Sequence, residues 1–413
     1  MTTNGRQPVV ITGFGAVTPL GVGVDTLFRR WLKGDVGIRD HVGHCWDFEP
    51  RDHLPSRVVR RTDIYSQLAL VAADEAIAHA GWSEGLPVDP TRIACIVGTG
   101  FGGTTTFEAQ LEKYFSGGPT RVSPLTVPMS MSNAAPGIIA LRHGIKGPAH
   151  SVSSACATGN DAIAASVRAI RSGEVDAVIA GGADACSSHF GIALSQTMGA
   201  TSQVGISRPF DARRDGFIMS EGGGILILER GDLAQRRGAK VLGEILGYAS
   251  TNDAHHLTDP EPEGRGAALA IQRALESANV LPEDLDYVSA HGTSTPANDR
   301  AETRAIKAAL GEVAMRLPVS SMKSVIGHVM GAAGIVEAIG SVLTLRTNTS
   351  PPTVGYEVPE EGLDLNYVPQ RPQPLRPRPD AKFGTAISNA FGFGGHNSVV
   401  CVRAPRGVDA LPV

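Results

Sequence analysis

The same order of segments occurs twice along this chain. In the first half, the apolar run RIACIVGTGFGG (92–103) ends in glycines, and SVSSACATGNDAIAASVRAI (151–170) passes from small residues into a helix. In the second half, LDYVSAHGTST (285–295) and LPVSSMKSVIGHVMGAAGIVEAIG (317–340) repeat that order. Alternating buried strands and amphipathic helices are typical of an α/β architecture. The order of segments, rather than residue identity, therefore predicts two related halves, 1–242 and 243–413.

Composition excludes several classes of protein. The 413 residues are 42% hydrophobic, enough for a large core, and the formal net charge of −4 gives no argument for a nucleic-acid partner. No window approaches 18 uninterrupted apolar residues and the first residues do not resemble a secretion signal, so we expect neither a membrane span nor export. The five cysteines lie far apart without a CxxC pattern, which favours reduced thiols in the cytoplasm. They are Cys45, Cys95, Cys156, Cys186 and Cys401.

Cys156 has two interpretations from its own segment, SVSSACATGND (151–161). A cysteine is among the most commonly buried residues, so it could be a spacer between a strand and a helix. Alternatively, a thiol at the start of a helix meets free N–H groups and the positive end of the helix dipole, which favours the thiolate and raises its nucleophilicity. The segment alone does not decide between these interpretations.

Three further segments place polar residues where a helix start or a glycine-rich turn can direct them. They contain His291 after an apolar strand, Lys323 and His328 around a helix start, and Phe391 and Phe393 in the glycine-rich turn of ISNAFGFGGHNSVV. Separately, they could be a core histidine, a helix-face histidine, a lysine with a buried stem and a tight hairpin. Together they fit acyl transfer through a thioester.

That chemistry assigns a task to each residue type. A cysteine would form the thioester, and two neutral histidines would each donate one N–H to a carbonyl oxygen that becomes negative. A nearby lysine would fix the histidine tautomers and hold a carboxylate. Glu302 and Asp299 are the two candidates for that carboxylate.

Four motifs carry a resemblance to a known family. SACATG, AHGTSTPANDRAET, SSMKSVIGHVMGAAG and SNAFGFGGHNSVV resemble the signature segments of the beta-ketoacyl-acyl carrier protein synthases with a Cys-His-His centre, and SRPFDARRDGFIMSEGGGILILE (207–229) is similar as well. The match runs in family order along nearly the whole chain, and ketosynthase subunits of type II polyketide synthases are similar too. The resemblance implies a thiolase-like duplicated α/β fold, layered αβαβα, with two mixed five-stranded sheets.

The resemblance also implies a reaction. Cys156 would accept an acyl chain from the phosphopantetheine arm of an acyl carrier protein, and malonyl carrier protein would then lose carbon dioxide and attack the thioester. His291 and His328 would stabilise the enolate. The backbone N–H groups of Cys156 and Phe393 would form the oxyanion hole, and the turn with Phe391 and Phe393 would gate malonyl entry. No metal and no organic cofactor is implied.

Supporting residues are implied in the same way. Thr293 and Thr295 would hold the pantetheine arm, and Lys323 and Glu302 would form a charged pair behind the histidines. Phe101 stands where elongating members often carry a smaller aliphatic residue, so we expect its ring to shorten or reshape the acyl pocket.

The expected partners are an acyl carrier protein and a second thiolase-fold subunit. Members of the family are dimers, so we expect a homodimer or a heterodimer with a chain-length-factor homologue, and the pathway stays open between fatty acid and type II polyketide elongation. One alternative is a non-catalytic partner subunit, which usually lacks the cysteine and both histidines. A coenzyme A-dependent thiolase is the other, but it would need a second cysteine near GFGGHN, which has none.

Overall fold

A computed structural model describes residues 7–185, 188–376 and 381–408. Its strands are β1 (Val9–Thr18), β2 (Gly21–Val22), β3 (Ile93–Gly98), β4 (Ala149–His150), β5 (Ala177–Asp184), β6 (Gly222–Arg230), β7 (Gly243–Asn252), β8 (Tyr287–Ser289), β9 (Val319–Ser320), β10 (Thr349–Ser350), β11 (Gln373–Pro374), β12 (Phe383–Gly392) and β13 (His396–Pro405). Its helices are α1 (Val24–Lys33), α2 (Pro50–His53), α3 (Ser56–Val59), α4 (Ile64–His79), α5 (Thr104–Gly117), α6 (Thr126–Ser130), α7 (Ala134–His143), α8 (Thr158–Arg171), α9 (His189–Thr197), α10 (Gly231–Arg236), α11 (Arg265–Ala278), α12 (Pro296–Leu310), α13 (Lys323–Ile326) and α14 (Ala333–Thr347).

Ten of the described strands form two five-stranded halves that correspond one to one, while β2 pairs with β1 and β10 pairs with β11. The first half has the order β1-β6-β5-β3-β4 and the second β7-β13-β12-β8-β9. In each half the first two contacts are antiparallel and the last two are parallel. The halves touch where β1 pairs with β7, at Val10–Glu244 and Ile11–Gly243. The expected mixed five-stranded sheets are therefore confirmed as the two halves of one continuous sheet, while the domain boundary before residue 243 stays a prediction.

Helices cover both faces of each half. Because side chains alternate along a strand, β13 sends Val400 and Val402 to a central core and Val399 and Cys401 to an outer one. The central core contains the apolar faces of α8 and α14, whereas α4 packs outside the first half and α11 outside the second. This is the expected αβαβα layering.

The two central helices touch backbone to backbone where α8 meets α14. A Cβ on Gly159 would lie 2.4 Å from the backbone N of Ile335, and one on Gly334 would lie 2.7 Å from the backbone N of Asn160. Only glycine allows so close an approach. The helix that follows Cys156 therefore starts directly against the helix that follows His328.

The cysteines and the helix lengths can be compared with the expectations drawn from composition. Cys45, Cys95, Cys156 and Cys401 are free and buried, while Cys186 lies outside the described residues. Within the described ranges, no helix combines the length and the apolar character needed to cross a bilayer.

The helix contact predicts a costly substitution. Gly159→Ala should lower the free energy of unfolding by about 1–3 kcal/mol, because the new methyl group would overlap the backbone of Ile335. Urea denaturation measures this change. Gly137→Ala in α7 is the control, since a Cβ there meets nothing within 4 Å, and it should be neutral or slightly stabilising. Equal stabilities of the two variants would contradict the close contact.

Candidate active site

A cavity of about 330 Å³ brings the predicted site residues together. Its lining includes Cys156, His291, His328, Thr293, Thr295, Phe391 and Phe393. These residues come from both halves of the chain, so the cavity exists only where the halves meet.

Cys156 lies between β4 and α8 on a segment with unusual backbone geometry. The preceding Ala155 has a φ of +51°, which an L residue adopts only where other contacts hold it. The Thr158 hydroxyl supplies two of them, donating to the Ala155 carbonyl (2.7 Å) and accepting from the Ser154 N–H (2.9 Å). The thiol itself is only 4% exposed and packs with the apolar side chains of Phe217, Met219 and Met330.

The pKa of the Cys156 thiol shifts in the direction opposite to the one predicted from the sequence. Burial raises the pKa of Cys156 to about 11, although the charge of Lys323 and the Phe393 N–H, which donates to the sulfur, act in the opposite direction. The expected lowering of this pKa by the helix start is therefore wrong, because loss of water outweighs it. The resting group is a thiol that must release its proton as it reacts.

His291 follows β8 and is held through its backbone. Its N–H donates to Glu302 Oε1 (2.7 Å), and the next N–H, of Gly292, donates to Glu302 Oε2 (2.7 Å). Lys323 Nζ lies 3.4 Å from His291 Nδ1. Since an ammonium group can only donate, Nδ1 accepts and the ring proton resides on Nε2.

His328 follows the short helix α13. Its N–H donates to the Ile218 carbonyl (2.7 Å) and its carbonyl accepts from the Ser220 N–H (3.0 Å), which fixes its backbone in a bridge with Met219. The ring lies edge-on to His291, with 5.4 Å between centroids, and neither of its nitrogens has a hydrogen-bond partner among the described residues. This buried ring is free to bind a substrate oxygen.

Both imidazoles are neutral near pH 7. Burial, reinforced by the positive charge of Lys323, lowers the pKa of His291 and of His328 well below the ordinary value. Each ring can therefore donate one N–H, as the sequence analysis expected.

The predicted pair of Lys323 and Glu302 is wrong. The Lys323 ammonium instead pairs with the carboxylate of Glu337, which lies one turn into α14, and both side chains are 1% exposed. Burial raises the pKa of Glu337 to about 7, and the charge of Lys323 opposes that rise. Such a desolvated charge needs a close partner, and α14 supplies it.

The two carboxylates proposed for Lys323 have other partners. Glu302 accepts from the two N–H groups around His291 and from Asn389 Nδ2 (3.1 Å). Asp299 lies 3.3 Å from Arg214 and accepts the N–H of Phe210 (2.8 Å). Glu302 is thus behind the histidines as expected, but it holds backbone rather than the lysine.

Thr293 and Thr295 line the cavity as predicted, whereas Phe101 does not. Thr293 and Thr295 both line the cavity, with 2.9 Å between their hydroxyl oxygens. Phe101 is not among the lining residues, and its side chain is 45% exposed. Its backbone N–H donates to Asp184 (3.0 Å), which fixes this loop. The expectation that Phe101 lines the pocket is not met in the single chain.

Glu337 is the residue that sequence reasoning missed. The stretch VMGAAGIVEAIGSVLTL (329–345) contains no other charged residue, and a lone acid in an apolar helix signals a buried partner. Asn389, which orients Glu302, lies in a strand and carries no such signal.

Neutral buried histidines predict acid sensitivity. Their folded pKa values lie below the unfolded value near 6.5, so the unfolded chain binds more protons as the pH falls and stability is lost below pH 6.5. Between pH 7.5 and 5.5, wild type should lose about 1.4 kcal/mol more unfolding free energy than His328→Gln. Urea denaturation at both pH values tests this, with the exposed His255→Gln as control. Equal losses in wild type and His328→Gln would contradict it.

Comparison with known proteins agrees with this geometry. Residues 48–234 match the model of the beta-ketoacyl synthase N-terminal domain, and residues 242–357 match that of the beta-ketoacyl synthase C-terminal domain.

Similar proteins span the whole chain. A Staphylococcus aureus protein named 3-oxoacyl-acyl-carrier-protein synthase 2 is 40% identical over 98% of this chain and 99% of its own. A solved complex of a type II polyketide synthase acyl carrier protein with its ketosynthase, bound to a hexaketide, gives a TM-score of 0.87 at 30% identity, over 97% of this chain and 100% of that one. The ishigamide ketosynthase/chain length factor structure gives 0.87 at 32% identity, with the same coverage. The protein belongs to the beta-ketoacyl synthase family.

Proposed function

We propose that this protein catalyses a decarboxylative Claisen condensation between an acyl thioester on Cys156 and malonyl-acyl carrier protein, giving 3-oxoacyl-acyl carrier protein. The observation that carries the proposal is the meeting of one buried thiol and two neutral imidazoles in a single cavity. The families and names of the similar proteins support the same reaction class.

In the first step, the thiol of Cys156 attacks the acyl thioester of the carrier protein. A carbon–sulfur bond forms to Cys156, the bond to the pantetheine sulfur breaks, and the proton passes to that sulfur. The N–H of Phe393 already donates to the Cys156 sulfur, and Gly392 lies against the backbone N of Cys156. The backbone N–H groups of Phe393 and Cys156 therefore lie close together and can bind the oxyanion of the tetrahedral intermediate.

In the second step, malonyl carrier protein loses carbon dioxide and leaves an enolate. The negative charge resides on the thioester oxygen, where N–H donors on His291 and His328 stabilise it. The enolate carbon then attacks the acyl group on Cys156, a carbon–carbon bond forms as the bond to the Cys156 sulfur breaks, and the departing thiolate takes a proton from solvent to restore the thiol. The raised pKa of Cys156 favours that final protonation.

The other side chains of the cavity suit the carrier arm. The paired hydroxyls of Thr293 and Thr295 offer donors and acceptors to the amides of pantetheine. The C-terminal cysteine, Cys401, is fully buried in the outer core of the second half and does not line the cavity. It cannot act as the second cysteine of a thiolase, so the coenzyme A-dependent alternative gains no support.

The protein's assembly and location are also proposed. Helix α5 exposes Phe107, Leu111, Tyr114 and Phe115, an apolar surface we call the α5 face. So large a group of exposed aromatic residues is typical of an interface. We propose that a second thiolase-fold subunit covers the α5 face, either another copy of this chain or a chain-length-factor homologue.

The free thiols suit a protein of the cytoplasm. We therefore propose that the protein is a cytoplasmic enzyme of fatty acid or polyketide elongation.

Single substitutions should abolish acyl loading or slow malonyl decarboxylation independently of each other. Cys156→Ala should gain no acyl mass from acyl carrier protein but keep decarboxylating malonyl carrier protein. His328→Ala should load normally while its release of labelled carbon dioxide falls about 10²-fold, because an enolate donor is lost. Mass spectrometry and isotope counting measure the two steps.

The control for these variants is His255→Ala, an exposed histidine outside the cavity, which should leave both steps unchanged. Acyl mass on Cys156→Ala would show that another residue is the nucleophile. Normal carbon dioxide release by His328→Ala would remove the enolate role.

The α5 face predicts an oligomeric state. Light scattering should give twice the chain mass of 43.1 kDa for wild type and a single mass for Phe115→Asp, whose ring is 79% exposed. Leu281→Asp is the matched control, since that side chain is 66% exposed but lies outside α5. A monomeric wild type would contradict the homodimer and favour the heterodimer, whereas dimeric Phe115→Asp would place the interface elsewhere.

A further inference from the structure

Three serine hydroxyls from separate parts of the chain converge on one carboxylate, that of Asp161 in the first turn of α8. Ser154 donates to Oδ2 (2.6 Å), while Ser250 (2.7 Å) and Ser398 (2.8 Å) donate to Oδ1. One oxygen therefore serves the segment before Cys156, and the other serves two strands of the opposite half. Asp161 is the last residue of the SVSSACATGND segment, and the sequence alone assigned it no role.

The first contact holds the segment that carries the nucleophile. Ser154 is two residues before Cys156, and between them lies Ala155 in the left-handed region, a conformation that contacts around it must maintain. Ser154 is tied at its N–H by Thr158 and at its hydroxyl by Asp161. These two bonds fix Ser154, two residues before the side chain that enters the cavity.

The other two contacts hold the gate turn, the residues 393–395 between β12 and β13. Ser398 lies in β13 just after that turn, and Ser250 is its register partner in β7. Asn160, the neighbour of Asp161, donates to the carbonyls of Ser388 (2.9 Å) and Ser398 (3.0 Å), on both strands that flank the turn. The first turn of α8 is thus fastened to the hairpin that presents the Phe393 N–H to the Cys156 sulfur.

A helix-capping role does not account for these contacts. An acidic residue in a first turn stabilises the helix dipole, and the N-cap residue Ala157 offers no side-chain cap. Asp161 would serve that purpose without any of its three hydroxyl donors. The donors instead connect the nucleophile segment to the second half of the fold.

We propose that Asp161 is a positioning residue whose carboxylate joins the Cys156 segment to the gate turn and so sets the sulfur against the N–H of Phe393. The inference rests on the proposed function, because it assigns Asp161 to acyl loading on Cys156. Asp161 is not assigned to the decarboxylation step, because that step uses His291 and His328.

The test measures Cys156 alone and then in catalysis. In Asp161→Asn, the rate of Cys156 alkylation by iodoacetamide, followed by peptide mass spectrometry, and the rate of acyl loading should both fall about tenfold, since small misplacements of reacting groups are costly. Decarboxylation of malonyl carrier protein should stay at the wild-type value, while the melting temperature falls by a few degrees because hydrogen bonds to a charged acceptor are lost. Ser154→Ala should show the same selective loss, and the double variant should be no slower than the slower single one.

The matched control is Asp25→Asn, which removes an exposed carboxylate from the first turn of α1. It should leave alkylation, loading and decarboxylation unchanged. Unchanged alkylation in Asp161→Asn and Ser154→Ala, or additive effects in the double variant, would overturn the positioning role, as would a fall of decarboxylation as large as that of loading. Failure of the proposed function has a different signature, since wild type would then be alkylated at Cys156 but would neither load nor decarboxylate.

Discussion

The contact between α8 and α14 is the constraint on which the rest of the structure depends. Gly159 and Gly334 let the two helices approach until backbone meets backbone, and the sheets of both halves pack around that contact. Cys156 precedes one helix and His328 the other, so the contact determines how far apart they lie. A wider spacing of these helices would move the thiol away from the His328 imidazole, whereas His291 is positioned separately, after β8.

Exclusion of water then decides the protonation states. The same burial raises the pKa of Cys156 and lowers that of the histidines, which leaves a neutral thiol and two neutral N–H donors around one charged pair. The same high pKa keeps the free Cys156 protonated and favours protonation of the Cys156 thiolate that condensation releases. The site is therefore arranged for exchange of thioesters rather than for a permanently charged nucleophile, and Lys323 acts on it as a buried positive charge held by Glu337.

Much of this could be anticipated from the chain. Alternating apolar runs predicted an α/β architecture, because strand and helix periodicities are local properties, and the layering followed from the resemblance of the motifs to a known family. Motif order identified Cys156, His291 and His328, which the structure places around one cavity. The partner of Lys323 was assigned wrongly, since a choice among several acids depends on which helix packs beside the lysine.

The sequence by itself determined the duplicated α/β architecture and the residue types of a thioester chemistry, because both are written in local pattern and motif. Only the tertiary structure decided the ion pair of Lys323 with Glu337, the raised thiol pKa, the exposure of Phe101 and the convergence of serines on Asp161. Each of these depends on distances between segments far apart in the chain and on how completely packing excludes water. Neither quantity is encoded in any single stretch of residues.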